Sequence, residues 1–264
     1  MRVLKIGGNE LSDPGFVTVL ATTIARMKGD TAESVIIVHG GGRAIAGLQA
    51  QLGLEAVKVD GLRVTDLESL SVAQMVLSGH SNKIVVKALL AAGLDALGIS
   101  GVDGAVLRCH KKQHPTVDLG YVGEIVQVRA ELLRQLAAMG ITTVLSPISL
   151  GLDGLTYNVN ADEAATAVAL SIGAKQLDFV SNVPGVLQDG TVIPHLSSME
   201  TKQLIAAGTI SGGMIPKVQC CLDVIEGGTH SVHMINGLVR HSLLLEIFTD
   251  GGIGTMVTNE KGAV

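Results

Sequence analysis

The strongest constraint on the fold is a set of glycine-rich and asparagine-rich stops in an otherwise apolar sequence. Three of them are KIGGN at Lys5 to Asn9, HGGGR at His39 to Arg43 and NVNAD at Asn158 to Asp162. Each of these three follows a short apolar run and precedes a segment with helical periodicity. A fourth element, SGGMIPK, runs from Ser211 to Lys217. This punctuation is typical of strands followed by helices at one edge of a parallel sheet.

Apolar β-rich runs alternate with helical segments along most of the chain. Hydrophobic residues make up 47% and aromatic residues 2%, so Val, Ile, Leu and Ala must fill the interior. We therefore expect a three-layer α/β/α fold, in which helices cover both faces of an open, mainly parallel sheet. The predicted strands are Val3 to Ile6, Ser34 to Val38, Asp95 to Ile99, Thr142 to Leu145, Gln176 to Val180 and Ser231 to Ile235, and the clearest helical segments are Phe16 to Lys28, Ile45 to Leu52 and Ala130 to Met139.

The length of 264 residues fits two closely packed lobes that share one sheet. Gly173 ends a predicted helix as a favourable C-cap, and Ala174 precedes a new strand. We therefore divide the chain into an amino-terminal lobe, residues 1–173, and a carboxy-terminal lobe, residues 174–264.

Two helix starts carry the sequence pattern of a capping box. Thr65 with Glu68, and Ser197 with Glu200, have the hydroxyl and carboxylate at the required spacing. Both pairs are predicted to satisfy amide groups at helix ends, so we assign them no chemistry.

Charge and cysteine content exclude several classes of protein. A formal net charge of −5 and a pI near 5.9 argue against nucleic acid as a partner. The three cysteines form neither a disulfide framework nor a zinc pattern, which predicts a reduced, cytoplasmic protein. No apolar stretch has the length of a signal or of a membrane span, so no membrane partner is expected. One basic cluster is interpreted as an exposed hairpin tip in preference to a docking patch: Arg108, His110, Lys111, Lys112 and His114.

The glycine pairs and triplets after apolar strands predict an anion site. Gly7 with Gly8, and Gly40 with Gly41 and Gly42, let backbone amides converge on an anion without interference from a Cβ. Either loop alone is equally consistent with a tight turn, but two such loops at neighbouring strand ends favour a ligand. The chain has no Gly-Lys dipeptide, hence no Walker A loop, and no G-x-G-x-x-G after its first strand.

Lys5 and the NVNAD segment add charge to this edge. Lys5 stands inside an apolar strand, where burying its ammonium is costly unless an anion pairs with it. The alternative is an edge-strand lysine whose ammonium reaches water. Asn158, Asn160 and Asp162 would share one face if they were strand-like, and Asp162 alone could instead be a helix N-cap. With Lys217, these residues predict a site for phosphate and carboxylate groups.

Eight motifs follow one another along the chain: KIGGN, HGGGR, GLRVTD at Gly61 to Asp66, ALGISGVDG at Ala96 to Gly104, DLGYVGEI at Asp118 to Ile125, NVNADEAA at Asn158 to Ala165, SNVPGV at Ser181 to Val186 and GGMIPK at Gly212 to Lys217. In this order they resemble the amino acid kinase family. The resemblance extends from Lys5 to the GTMV segment ending at Val257, and it is greatest to the branch that phosphorylates N-acetyl-L-glutamate in arginine biosynthesis.

The resemblance implies that the amino-terminal lobe binds the acylated amino acid and the carboxy-terminal lobe binds ATP. No cluster of carboxylates in the sequence suggests a dedicated metal site, so we expect Mg²⁺ to arrive with the nucleotide. The residues carried over are Lys5, Lys217 and Asp162 for catalysis, Gly41, Gly42, Arg63 and Asn158 for the acceptor, and Gly7, Gly8, Ser181, Asn182, Val183, Gly185, Val186, Thr209, Ile210 and Ser211 for the nucleotide.

Asn182 departs from the family pattern, because most members of the N-acetylglutamate branch carry Asp there. Asn is familiar from related kinases that phosphorylate aminoadipate or glutamate attached to a small acidic carrier protein, so a carrier-linked acceptor is the alternative within the family. A nucleotide- or amino-acid-sensing module without turnover is the alternative outside enzymes. That alternative predicts loss of Lys5, Lys217 or Asp162, and all three are present.

The two ends of the chain bear on assembly. Arginine-inhibited members resemble this chain from His241 to Val257, but they also carry an additional amino-terminal helix that joins dimers into a hexamer. Met1 stands only four residues before Lys5. We therefore expect a homodimer with weak or absent inhibition by arginine.

Overall fold

A computed structural model describes residues 1–59, 61–237, 239, 242–248 and 253–259. The carboxy-terminal signature lies partly outside these residues, at positions 241 and 249–252. The central sheet is formed by β1 (Arg2–Ile6), β2 (Val35–His39), β5 (Ala96–Ser100), β8 (Thr142–Ser146), β11 (Gln176–Ser181), β14 (His195–Ser197), β15 (Ser231–Asn236) and β16 (Thr255–Thr258).

The strand order of this sheet is β14-β16-β15-β11-β1-β2-β8-β5. Hydrogen-bonded neighbours are parallel except β15 and β16, which are antiparallel. The six predicted strands are confirmed, with ends that shift by one residue or less. The sheet is continuous across Gly173, because β1 pairs with both β2 and β11.

Smaller strands lie beside the central sheet. One group forms a four-stranded sheet, and two short hairpins complete the described strands. The four-stranded sheet contains β6 (Leu107–Lys111), β7 (Gly123–Val128), β9 (Ile148–Gly151) and β10 (Thr156–Asn158), and the hairpins are β3 (Lys58–Val59) with β4 (Leu62–Arg63) and β12 (Leu187–Gln188) with β13 (Thr191–Val192).

Helices connect these strands and cover both faces of the central sheet. A π-helical segment, Met75–Ser81, joins two of them, and short 3₁₀ turns lie at Glu10–Ser12 and Asp103–Ala105. The helices are α1 (Pro14–Thr31), α2 (Gly42–Gln51), α3 (Leu67–Gln74), α4 (Asn82–Ala91), α5 (Ala130–Ala138), α6 (Ala161–Ile172), α7 (Ser198–Ala206), α8 (Met214–Glu226) and α9 (Ser242–Phe248). None of these described helices is both long enough and apolar enough to cross a membrane.

The alternation of β1 explains how a lysine lies inside the core. Leu4 and Ile6 pack into a cluster with apolar residues of α1 and α4, while Val3 packs on the opposite face with α6 and α8. Lys5 shares the face of Val3, because side chains alternate along a strand. The edge-strand interpretation of Lys5 is wrong, since β1 lies between β2 and β11.

One of the two predicted capping boxes is confirmed. Ser197 and Glu200 form the reciprocal pair at the start of α7. The box at Thr65 and Glu68 is wrong: α3 starts one residue later, with Asp66 as its N-cap accepting from Ser69 N at 2.7 Å. The Thr65 hydroxyl instead donates to Arg63 O at 2.8 Å, which ties it to the preceding hairpin.

Carboxylates neutralise much of the basic cluster at 108–114. Lys111 pairs with Asp118 at 2.7 Å, and Lys112 pairs with Glu163 at 2.7 Å. His110 Nε2 lies 3.1 Å from a carboxylate oxygen of Glu124 on the neighbouring strand. Three of the five basic residues are thus paired with carboxylates, which reduces the positive charge available to an acidic partner.

Candidate active site

The two glycine loops meet at the carboxyl edge of the sheet. Gly40 N donates to Ile6 O at 2.8 Å, and Gly7 N donates to Val180 O at 2.9 Å, so both loops continue the strand ladder. A Cβ on Gly8 would lie 2.6 Å from Gly41 Cα and 2.8 Å from Gly41 N. The backbones therefore approach each other more closely than any residue with a side chain at position 8 would allow.

A buried histidine fixes the start of the second loop. His39 is fully buried, with Nδ1 3.0 Å from Gly40 O and Nε2 3.2 Å from Asn82 Nδ2. Since the Asn82 amide donates to Nε2, the proton of the neutral ring lies on Nδ1 and is donated to Gly40 O. Burial lowers the pKa of His39 to about 4, so the ring stays neutral near pH 7.

Asp162 connects the two predicted catalytic lysines. Lys5 Nζ lies 2.7 Å from Asp162 Oδ1, and Lys217 Nζ lies 2.8 Å from Asp162 Oδ2. The three side chains are 9%, 12% and 20% exposed for Lys5, Lys217 and Asp162. The carboxylate thus holds two ammonium groups side by side at the edge of the sheet, with enough access for a ligand to displace solvent.

The electrostatics of this triad favour anion binding. Burial alone would raise the pKa of Asp162, but Lys5 and Lys217 outweigh it and lower that pKa to about 2. Burial lowers the pKa of Lys5, and the neighbouring Lys217 acts in the same direction, while Asp162 opposes both. Two positive charges against one negative charge leave a net positive site, which a phosphate group would neutralise.

The start of α6 determines where Asp162 points. Asn160 is the N-cap of this helix, and its Oδ1 accepts from Asp162 N at 2.7 Å and from Glu163 N at 3.4 Å. The N-cap interpretation of Asp162 is therefore wrong, and its carboxylate is free to reach the lysines. NVNAD is also not a continuous strand, since only Asn158 lies in β10. Its three polar residues nevertheless line one cavity.

Lys217 is held by an aromatic ring as well as by Asp162. It lies one turn into α8, whose N-cap is Gly213. Its Nζ lies 5.0 Å from the ring centroid of Phe179, a buried residue paired with Lys5 across β1 and β11. A cation–π contact of this kind positions the ammonium without neutralising it.

One side of the triad opens into a cavity of about 250 Å³ that contains all four predicted acceptor residues. Arg63 Nη1 donates to Gln49 Oε1 at 2.6 Å, and Nη2 donates to Gly42 O at 3.1 Å. These two bonds orient the guanidinium at the cavity wall, where it can bind a carboxylate. The acceptor residues and the triad members in the lining are Gly41, Gly42, Arg63, Asn158, Lys5 and Asp162.

A second cavity, of about 490 Å³, lies on the other side of the lysines. It contains five of the predicted nucleotide residues together with both lysines. Gly8 and Lys5 line both cavities, so a ligand in one would meet a ligand in the other at Lys5. The predicted residues in this lining are Gly7, Gly8, Ser181, Asn182, Val183, Lys5 and Lys217.

The remaining predicted nucleotide residues lie elsewhere. Val186 N donates to Thr255 Oγ1 at 2.8 Å, and Gly185 packs against the same side chain. Ile210 is buried in the core, whereas Thr209 and Ser211 are exposed in the turn before α8. Their contact with a nucleotide stays a prediction.

Sequence reasoning missed three charged residues that line the site, which are Glu10, Arg43 and Lys58. Lys58 pairs with Arg63 across the β3–β4 hairpin and lines both cavities. Glu10 lines the second cavity, and burial raises its pKa, which Lys5 and Lys217 oppose. The signal for Glu10 was present, since a carboxylate stands between the Gly7–Gly8 loop and apolar Leu11. Lys58 had no comparable signal.

A sheet with glycine loops at its carboxyl edge and an ion-paired lysine couple between two cavities is typical of a phosphotransferase. The model of the amino acid kinase family matches residues 1–236, and the chain belongs to that family. Among curated relatives, the acetylglutamate kinase of Roseiflexus castenholzii is 47% identical over 245 residues, covering 92% of this chain and 93% of that protein. The acetylglutamate kinase of Symbiobacterium thermophilum is 42% identical over 265 residues, covering 97% and 90%.

A solved structure of related fold is N-acetylglutamate synthase from Neisseria gonorrhoeae, complexed with coenzyme A and N-acetyl-glutamate. Its TM-score is 0.88 at 28% identity, and the match covers 98% of this chain and 59% of that one. The same fold therefore occurs in a protein named for a different reaction. The site residues, and not the fold alone, must carry the functional argument.

Proposed function

We propose that the protein transfers the γ-phosphoryl group of ATP to the γ-carboxylate of N-acetyl-L-glutamate, yielding N-acetylglutamyl 5-phosphate for arginine biosynthesis. The observation that carries this proposal is the Lys5–Asp162–Lys217 triad, held at 2.7 and 2.8 Å between the two cavities. The names of the curated relatives support the choice of acceptor.

The chemistry requires charge neutralisation more than proton transfer. A γ-carboxylate with a pKa of about 4.3 is ionised at neutral pH and attacks phosphorus without a general base. An anionic nucleophile must nevertheless approach a polyanionic donor, and phosphoryl transfer is catalysed chiefly by positioning and electrostatics. Lys5 and Lys217 supply positive charge where the transferred group passes, and Asp162 keeps both ammonium groups in place.

The two cavities would hold the two substrates on either side of Lys5, which lines both. Arg63 binds a carboxylate of the acceptor, with the amides of Gly41 and Gly42 and the side chain of Asn158 around it. The nucleotide would occupy the second cavity, beside Ser181 to Val183 and Lys217 of the carboxy-terminal lobe and facing residues of the amino-terminal lobe such as Arg43. Mg²⁺ bound with ATP would supply further charge neutralisation, and Glu10 lines this cavity with an Oε1 that has no hydrogen-bond partner among the described residues.

The protein acts in the cytoplasm as a homodimer under this proposal. Support for a reduced compartment comes from Cys109, Cys220 and Cys221, which are buried free thiols. Support for a dimer comes from β5, an edge strand of the sheet whose Leu97 is 41% exposed. Light scattering that reports a monomer would refute the dimer.

The acceptor is tested by ADP release with N-acetyl-L-glutamate, L-glutamate, L-aspartate and carrier-linked aminoadipate. We expect turnover with N-acetyl-L-glutamate and little with the others. Asn182 favours the carrier-linked alternative, but the ion pairs of Lys111 and Lys112 remove the basic surface that an acidic carrier would need. Turnover with only the carrier-linked substrate would establish that alternative. Nucleotide binding without turnover of any acceptor would indicate a sensing module.

A further inference from the structure

Glu10 is a buried acid that lines the nucleotide cavity without a hydrogen-bond partner on one of its oxygens. The residue is 1% exposed, and no described residue donates a hydrogen bond to its Oε1. An unpaired carboxylate at this depth destabilises a folded protein, because desolvation is not offset by a donor. Such a group in a native structure calls for an explanation by an ion, a water or a function.

Glycines at two strand ends form the slot that holds this carboxylate. A Cβ on Gly7 would overlap Glu10 Oε2, and a Cβ on Gly237 would lie 2.8 Å from Glu10 Cγ. Gly7 follows β1, and Gly237 follows β15 with its N–H donated to Ser181 O at 2.8 Å. The slot therefore lies at the strand ends, beside Ser181, which lines the nucleotide cavity.

Neither lysine of the triad satisfies Glu10. Lys5 and Lys217 both direct their ammonium groups to Asp162, at 2.7 and 2.8 Å. Among the described residues, no group of three or more His, Cys, Asp or Glu side chains is placed to hold a metal ion alone. A cation that binds Glu10 must therefore bring most of its own ligands, as a magnesium ion on a polyphosphate does.

We propose that Glu10 is the protein ligand of the divalent cation that accompanies ATP, binding it directly or through a metal-bound water. This inference rests on the proposed function and deepens it. Mg²⁺ typically binds one or two carboxylates together with substrate phosphates and water. A carboxylate fixed in its slot on the nucleotide side anchors the polyphosphate there, while Lys5 and Lys217 remain free to act on the transferred group.

The test measures ATP binding in the absence of acceptor, so that it reports the contribution of the cation to affinity without turnover. Isothermal titration calorimetry would give the Kd of ATP with saturating MgCl₂ and with EDTA, for the unmodified protein and for Glu10→Gln. Glu124→Gln, which removes a half-exposed carboxylate beside His110, is the matched control. We expect the ratio of metal-free to metal-bound Kd to fall about tenfold or more in Glu10→Gln, as when groups supporting a metal are removed. The ratio should be unchanged in the control.

Each outcome of this cycle is decisive. If Glu10→Gln has the same Kd ratio as the unmodified protein, even with both affinities lowered, Glu10 is not a cation ligand. Failure of the unmodified protein to bind ATP at all overturns the proposed function as well, which separates the two claims.

Thermal unfolding of the nucleotide-free protein provides a second readout. Glu10→Gln preserves the shape of the side chain and removes a buried charge whose Oε1 accepts no hydrogen bond from the described residues. We therefore expect its Tm to rise without ligand, while its stabilisation by MgATP falls. A lower Tm without ligand would instead indicate that Glu10 is a structural counter-ion of the lysines, which contradicts the proposal.

Discussion

Replacing Asp162 by Asn should destabilise the protein by about 2 to 5 kcal/mol at pH 7. The carboxyl pKa falls from its ordinary value of 3.8 to about 2 in the folded protein. That difference corresponds to about 2 kcal/mol of stability, which is present above pH 4 and is lost as pH falls toward 2. Asn also leaves Lys5 and Lys217 facing each other without a counter-ion, and breaking buried pairs in this way costs about 3 to 5 kcal/mol.

Urea unfolding at fixed protein concentration and low salt measures this effect. Glu163→Gln is the matched control, because Glu163 is the next residue of α6 and its carboxylate pairs with Lys112 at 31% exposure. That more exposed pair should contribute less than about 1 kcal/mol. Inorganic phosphate should stabilise Asp162→Asn more than the unmodified protein, because the two lysines then bind an anion. Equal losses in Asp162→Asn and Glu163→Gln would refute the reasoning.

The remaining predictions concern catalysis, the glycine loop and pH. Lys5→Ala and Lys217→Ala should each lower kcat on the order of 100-fold or more with small changes in KM, and steady-state kinetics with kcat intact would remove them from catalysis. Arg63→Ala should raise the KM of the acceptor and leave the KM of ATP unchanged. Gly8→Ala should lower kcat about 100-fold in the same assay, because its Cβ would lie 2.6 Å from the facing backbone and move the loop. Buried His39 has a pKa of about 4, so its protonation disfavours the folded state. The free energy of unfolding should therefore be highest above pH 6.5 and fall by about 3 kcal/mol toward pH 4. Urea unfolding of His39→Asn should lack this decrease.

The fold was largely predictable because short apolar runs of strand length alternate with segments of helical periodicity along the sequence. The strand Val35–His39, which is apolar except for its last residue, is buried throughout, as expected for a strand covered on both faces. Each run ends in glycine or a polar residue, which locates the carboxyl edge of the sheet. The short strands β14 and β16 were not predicted, because three or four residues give too little periodicity and their pairing depends on distant segments.

The candidate site was predictable where a residue conflicts with its local surroundings. Lys5 in an apolar strand signals a buried partner, and the structure supplies Asp162. The partner of Arg63 had no such signal, because Gln49 lies on α2 and meets the guanidinium only through tertiary packing. The Thr65–Glu68 prediction failed for a related reason: Asp66 offers a better placed acceptor one residue later. Sequence patterns identify candidate caps, and competing neighbours decide among them.

The most direct test of phosphoryl transfer to the acceptor carboxylate is product trapping with hydroxylamine, which converts an acyl phosphate into a hydroxamate. The unmodified protein, incubated with MgATP and N-acetyl-L-glutamate, should form one hydroxamate for each ADP released, and Lys217→Ala should form almost none. Release of ADP without hydroxamate would contradict transfer to a carboxylate, since it would show that the lysine pair directs the phosphoryl group to water.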